Sequence, residues 1–180
     1  MAHAMFEFYE DIVIDQPIVV GSHTFAAEEI KAFARRYDPQ PFHLDEAAAE
    51  RSHFGGLCAS GWHTMAVWMR MMVGYQQRLA AEQAARGEPV PTLGPSPGFR
   101  ELRWLKPVYV GDTVTYSSAV IDKRPSSSRP AWGVISVRTT GLNQHGEPVI
   151  SVISTAFAER RPAPSPQRGE GRGEGVPDGG

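Results

Sequence analysis

The chain has 180 residues, 41% of them hydrophobic, which is enough material for one sizeable core and too little for two comfortable domains. Lysine plus arginine number 18 against 20 for aspartate plus glutamate, a formal charge of −2 that provides no bulk field for a polyanion, so nucleic acid is not expected as a partner. The single cysteine, Cys58, cannot pair internally, and the longest apolar run, Trp62 to Val73, contains Arg70 and falls short of the ~20 residues that a bilayer-spanning helix needs; with no signal-peptide pattern near the amino terminus, a cytoplasmic protein with no membrane partner is expected.

An early strand is expected near Ile18 to Phe25. Thr24 can then cap a helix with Glu28 and Glu29 near its positive end, and Ile30, Phe33 and Tyr37 fall on one face. Pro39 and Pro41 end that helix and force an irregular loop from Asp38 to Leu44, after which Asp45 can cap a short turn through the alanines. A second loop, Ser52 to Ala59, contains Gly55 and Gly56. The following segment, Ser60 to Arg86, reads as a long helix opened by Ser60 and closed by Gly87. Its first half is apolar nearly all round, the pattern of a helix that other elements enclose.

The second half of the chain changes period. Leu102 and Trp104, then Val114, Tyr116 and Val120, then Ile135 and Val137, then Val149, Ile153 and Phe157 show alternation or β-branched enrichment. Turn signals separate them at Gly111 and Asp112, from Pro125 to Pro130, and from Asn143 to Gly146. The expected architecture is α+β: five or six antiparallel strands wrapped around one long central helix, within a domain covering residues 1–159. An exposed edge strand would pair with a second copy, so a dimer is expected. Residues 160–180 are glycine, proline, charge and small polar groups, with Ala163 and Val176 as the only apolar members. Such a segment cannot bury enough surface to offset its ordering entropy, and it reads as a disordered tail.

Two segments could carry chemistry. In Tyr37 to Asp45, a proline-stiffened loop sets Asp38 and His43 close enough to converge on one water. A histidine that titrates near neutrality and a carboxylate in a partly dry cleft suit general acid and base work; alternatively, Asp38 caps the loop and His43 bonds only to backbone. In the second segment, Gly61 opens the long helix, where free amide hydrogens favour a developing negative charge and the missing side chain lets an acyl group approach. Close packing of helix on sheet would equally call for that glycine.

These residues carry a resemblance. Asp38 Pro39 Gln40 Pro41 Phe42 His43 Leu44 Asp45, then Phe54 Gly55, Ser60 Gly61, and Leu102 to Val108 with Gly111 Asp112, look like the MaoC-like dehydratases, which include (R)-specific enoyl-CoA hydratases. The resemblance spans roughly Val19 to Ala158. It implies a hot-dog fold, a homodimer or dimer of dimers, and reversible hydration of a 2-enoyl thioester of coenzyme A or an acyl carrier protein. It further implies that Asp38 and His43 activate the water and that Gly61 offers its amide to the thioester oxygen. Ser60 stands where the best-known hydratases commonly have histidine, and it joins Arg103 and Lys106 as an expected substrate-binding residue. The same fold hosts thioesterases and could also serve as a non-catalytic acyl-binding subunit.

Other features favour structural readings. His43, His53 and His63 recur every ten residues without the supporting ligands a metal site needs, and no metal or redox cofactor is expected. Cys58, among small apolar neighbours, reads as buried filler. Arg100, Arg103 and Lys106 could meet coenzyme A phosphates or lie as solvated charge on a strand. The segment Glu88 to Pro97 could be a stiff flap or a plain connector.

Overall fold

The computed structural model describes residues 5–162. Five strands form one antiparallel sheet in the order β1-β3-β4-β5-β2: β1 (Ile18–Thr24), β2 (Gly98–Trp104), β3 (Thr113–Pro125), β4 (Trp132–Leu142) and β5 (Pro148–Glu159). Three helices precede the last four strands: α1 (Ala27–Tyr37), α2 (Glu46–Glu50) and α3 (Gly61–Ala85). The long helix lies on one face of the sheet, which is the hot-dog arrangement expected. Inward residues of alternate parity, among them Val114, Tyr116, Val120, Ile135 and Val137, form its floor. Each fully buried aliphatic side chain there contributes about 1.5–3 kcal/mol.

Two contacts fix α3 on the sheet. The buried Tyr116 hydroxyl donates to the Thr64 carbonyl at 3.0 Å. At the other contact, Gly21 in β1 leaves room for Met71, whose Sδ would lie 2.7 Å from a Cβ at that position. Ser60 caps the helix by accepting from the Trp62 amide, and Asp45 caps α2 by accepting from Ala48.

Three local expectations differ from what is found. Thr24 ends β1 and meets the Thr113 hydroxyl at 2.7 Å, while α1 starts after Ala26, whose N–H is accepted by the Glu29 side chain. Strand pairing takes the hydroxyl that sequence assigned to a cap. Tyr37 is 63% exposed although its ring touches Phe33; as the last residue of α1 it has no following helical turn beside it. Finally, the described residues do not enclose α3: Trp62, Met69 and Val73, spaced along one helical face, are exposed.

The Glu88 to Pro97 segment is a connector. Gly94 donates to the Phe157 carbonyl and Thr92 to Glu159, so it lies along β5, and none of its residues lines the cavity described below. An amino-terminal segment supplies core that the sequence reading left out: Met5, Phe6, Phe8 and Ile12 are buried. Of the expected tail, Arg160 and Arg161 are tied to Glu10 and Asp11 by ion pairs; residues 163–180 lie outside the described residues. Among the described residues no helix is long and apolar enough to cross a membrane.

Candidate active site

Asp38 sits where α1 ends, and its own N–H closes the last turn onto Ala34. Pro39 forbids continuation, and Pro41 starts a single 3-10 turn, Pro41–His43, that swings His43 back beneath the helix terminus. His43 is 5% exposed. Its Nδ1 lies 2.7 Å from the Cys58 carbonyl oxygen, which can only accept, so Nδ1 carries a proton and in the neutral ring Nε2 is the basic nitrogen. Nε2 faces Asp38 Oδ2 at 3.5 Å. The acid and the imidazole therefore converge, each held by backbone that the prolines shape.

The start of α3 completes the cluster. Ser60 is buried, accepts from the Trp62 amide at 3.2 Å, and hydrogen-bonds the Asp38 carboxylate. Gln40 Nε2 donates to Asp38 Oδ1 at 2.8 Å. Burial by itself would raise the Asp38 pKa, but the hydrogen bonds from Ser60 and Gln40, with the attraction of His43, outweigh it and hold the carboxyl below its ordinary value. Asp38 is thus kept as a charged acceptor. The Cys58 sulfur lies 3.8 Å from His43 Nδ1, and burial pushes its thiol up to about 11.

These groups line a cavity of about 380 Å³ whose other walls are largely apolar, including Phe42, Phe54, Leu105, Val108 and Val149. Gly61 lies on the wall at the helix terminus, and its N–H has no acceptor among the described residues. The space where a Gly61 side chain would stand is filled by the Trp104 indole, so close packing accounts for this glycine, while its amide stays beside the cavity. Lys106 also lines the cavity, with its ammonium on Glu147 at 2.6 Å. Arg103 is exposed on β2 and does not reach the lining.

Sequence reasoning missed three participants. Gln40 carried a signal, since an amide two residues from a carboxylate on a proline-bounded loop can bond it locally. The Cys58 carbonyl and the Trp104 indole carried none, because each reaches the site through tertiary packing. Among the described residues no three His, Cys, Asp or Glu side chains gather as a metal would need. His63 instead stacks on Phe33 at 4.6 Å and meets Phe25 edge-on.

Comparison with known proteins gives consistent matches. Residues 11–140 match the family model described as a MaoC like domain. A solved MaoC-like dehydratase from Rhodospirillum rubrum is 36% identical, with a TM-score of 0.72, over 87% of this chain and 99% of that one. A Mycobacterium tuberculosis protein with a double hotdog fold is 17% identical, with a TM-score of 0.64, over 89% of this chain and 46% of that one, a likeness of fold. Mesaconyl-CoA hydratase from Cereibacter sphaeroides is 47% identical over 73 residues, which is 38% of this chain; the match spans about a fifth (21%) of that relative's length. With the loop, the capped helix and the wrapped sheet all in place, the chain belongs to the MaoC-like dehydratase family.

Proposed function

We propose that the protein hydrates 2-enoyl thioesters and dehydrates 3-hydroxyacyl thioesters by acid and base catalysis. The observation that carries this reading is the 3.5 Å approach of His43 Nε2 to Asp38 Oδ2 at a cavity bounded by the N-terminus of α3. Two acceptors side by side can take both hydrogens of one water, leaving its oxygen lone pairs aimed into the cavity. In hydration one O–H bond breaks and a C–O bond forms at the β carbon. The electron pair of the carbon–carbon double bond moves toward the thioester, and the proton held between Asp38 and His43 is delivered to the α carbon. Negative charge gathers on the thioester oxygen, where the Gly61 amide and the helix dipole stabilise it. Dehydration retraces these steps.

The substrate brings its own pantetheine arm, from coenzyme A or an acyl carrier protein, and Ser60 and Lys106 are the proposed polar neighbours of the bound thioester. The name of the Cereibacter relative makes mesaconyl-CoA, beside crotonyl-CoA, a first substrate to try. A second copy of the chain is proposed to pair along β2, making the functional unit a homodimer. The test is loss of enoyl absorbance on addition of the protein. Turnover that falls on the order of 10²-fold or more in Asp38→Asn, with an unchanged melting temperature, is expected. Release of free thiol from saturated acyl-CoA, with the enoyl group untouched, would instead make it a thioesterase.

A further inference from the structure

Trp104 stands directly in front of Gly61. A Cβ at Gly61 would lie 2.3 Å from the indole Nε1 and 2.4 Å from Cε2, so the ring rests on the bare backbone of the helix's first turn. It meets Trp62 edge-on at 5.3 Å, and its N–H has no acceptor among the described residues. Trp104 is 47% exposed, so core packing surrounds only part of it. It is also a lining residue of the cavity that holds Asp38 and His43.

The strand that carries it is bent just upstream. Pairing of β2 with β5 shifts register between Arg100 and Arg103, and Glu101 within that stretch has φ of +54°, a left-handed conformation that a residue with a Cβ adopts at a cost. Bulges of this kind re-aim the side chains beside a site. Edge position, a bulged strand and a large ring all converge on one place, the space beside the Gly61 amide. A ring so placed contributes bulk to the wall, and its one polar group is the indole N–H.

Resting on the thioester reading above, we propose that Trp104 is the specificity-determining wall of the pocket: its indole fixes how much acyl group fits beside Gly61, admitting short chains and turning away long ones. A thioester oxygen seated on the Gly61 amide brings the carbons next to it against this ring, so each added methylene must find room that the indole occupies. In hydrophobic pockets one methylene is commonly worth about tenfold or more in discrimination.

The experiment uses the full chain, its Trp104→Ala and Trp104→Phe variants, and a series of trans-2-enoyl-CoA esters from four to twelve carbons. In parallel, calorimetric titration measures Kd for the matching saturated acyl-CoA esters, which needs no turnover. The parent is expected to favour the shortest esters. Trp104→Ala should shift the ratio of long-chain to short-chain kcat/KM, and of the corresponding association constants, by at least about tenfold toward long chains, with Trp104→Phe between and melting temperatures close together. If Trp104→Ala fails to fold, Trp104→Phe and Trp104→Leu carry the comparison. A length profile that does not move in either measurement overturns the proposal. Absence of enoyl turnover in the parent would defeat the hydratase reading, and the binding series would still decide the role of Trp104.

Discussion

Asp38 receives hydrogen bonds on a carboxylate that burial would otherwise push toward neutrality. Ser60 and Gln40 are the donors, and His43 lies beside them. The free enzyme needs Asp38 ionised to take a hydrogen from water, so its pKa sets the acid limb of the pH dependence of kcat/KM. Gln40→Ala removes one donor and raises that pKa. The acid limb is therefore expected to move to higher pH, with activity on the plateau reduced less than at low pH; Gln40→Asn, which keeps an amide, should restore part of the shift. An acid limb that stays in place would mean that Gln40 does not bear on the charge of Asp38. The hydrogen bond from His43 Nδ1 to the Cys58 carbonyl is of the same kind, because it decides which nitrogen of the ring is left basic.

Helix α1, which ends at Asp38, packs on α3 through a contact that is sensitive to pH. His63 on α3 is buried against Phe25 and Phe33, and its Nδ1 has no hydrogen-bond partner. Burial lowers its pKa below the ordinary histidine value, with Glu29 partly opposing and His23 and Arg70 adding to the effect. A folded-state pKa below the unfolded one means that the unfolded chain takes up the proton first. Stability is then unaffected well above the ordinary value of 6.5 and falls as pH drops through and below it. His63→Phe removes the titration and the orphaned nitrogen. The gap in melting temperature between pH 8 and pH 5.5 should narrow in this variant, and a gap equal to that of the parent would exclude His63 as its source. At this scale the sequence was readable where a rule is local: Ser60 and Asp45 as caps, Pro39 and Pro41 as breakers, and alternation in β3 to β5. It was unreadable where a residue had two uses, as at Thr24, or where a contact crosses the chain, as with Trp104 on Gly61 and the buried Phe6 and Phe8 ahead of the first strand. The pair Asp38 and His43 was legible because both lie on one short loop.

At the scale of the molecule, the described residues leave apolar surface uncovered. Trp62 is 51% exposed, Phe99 55% and Leu105 46%, and all three belong to the start of α3 or to the edge strand β2 and its end. Among the described residues no strand lies beyond β2, so its outer backbone groups lack sheet partners there, and an unprotected edge of this kind pairs readily with another. Pairing two copies across a twofold axis would join the sheets and cover Phe99 and the half-exposed tryptophans at once. It would also close the open side of a cavity whose wall includes Trp62, Trp104 and Leu105. Sedimentation at micromolar concentration is accordingly expected to give twice the chain mass. Phe99→Glu places a charge at the centre of that contact and should shift the population toward monomer, with turnover per chain falling as the dimer is lost, although Phe99 does not line the cavity. A parent chain that sediments as a monomer with full activity would remove the partner from the site altogether and leave Trp104 to bound it alone.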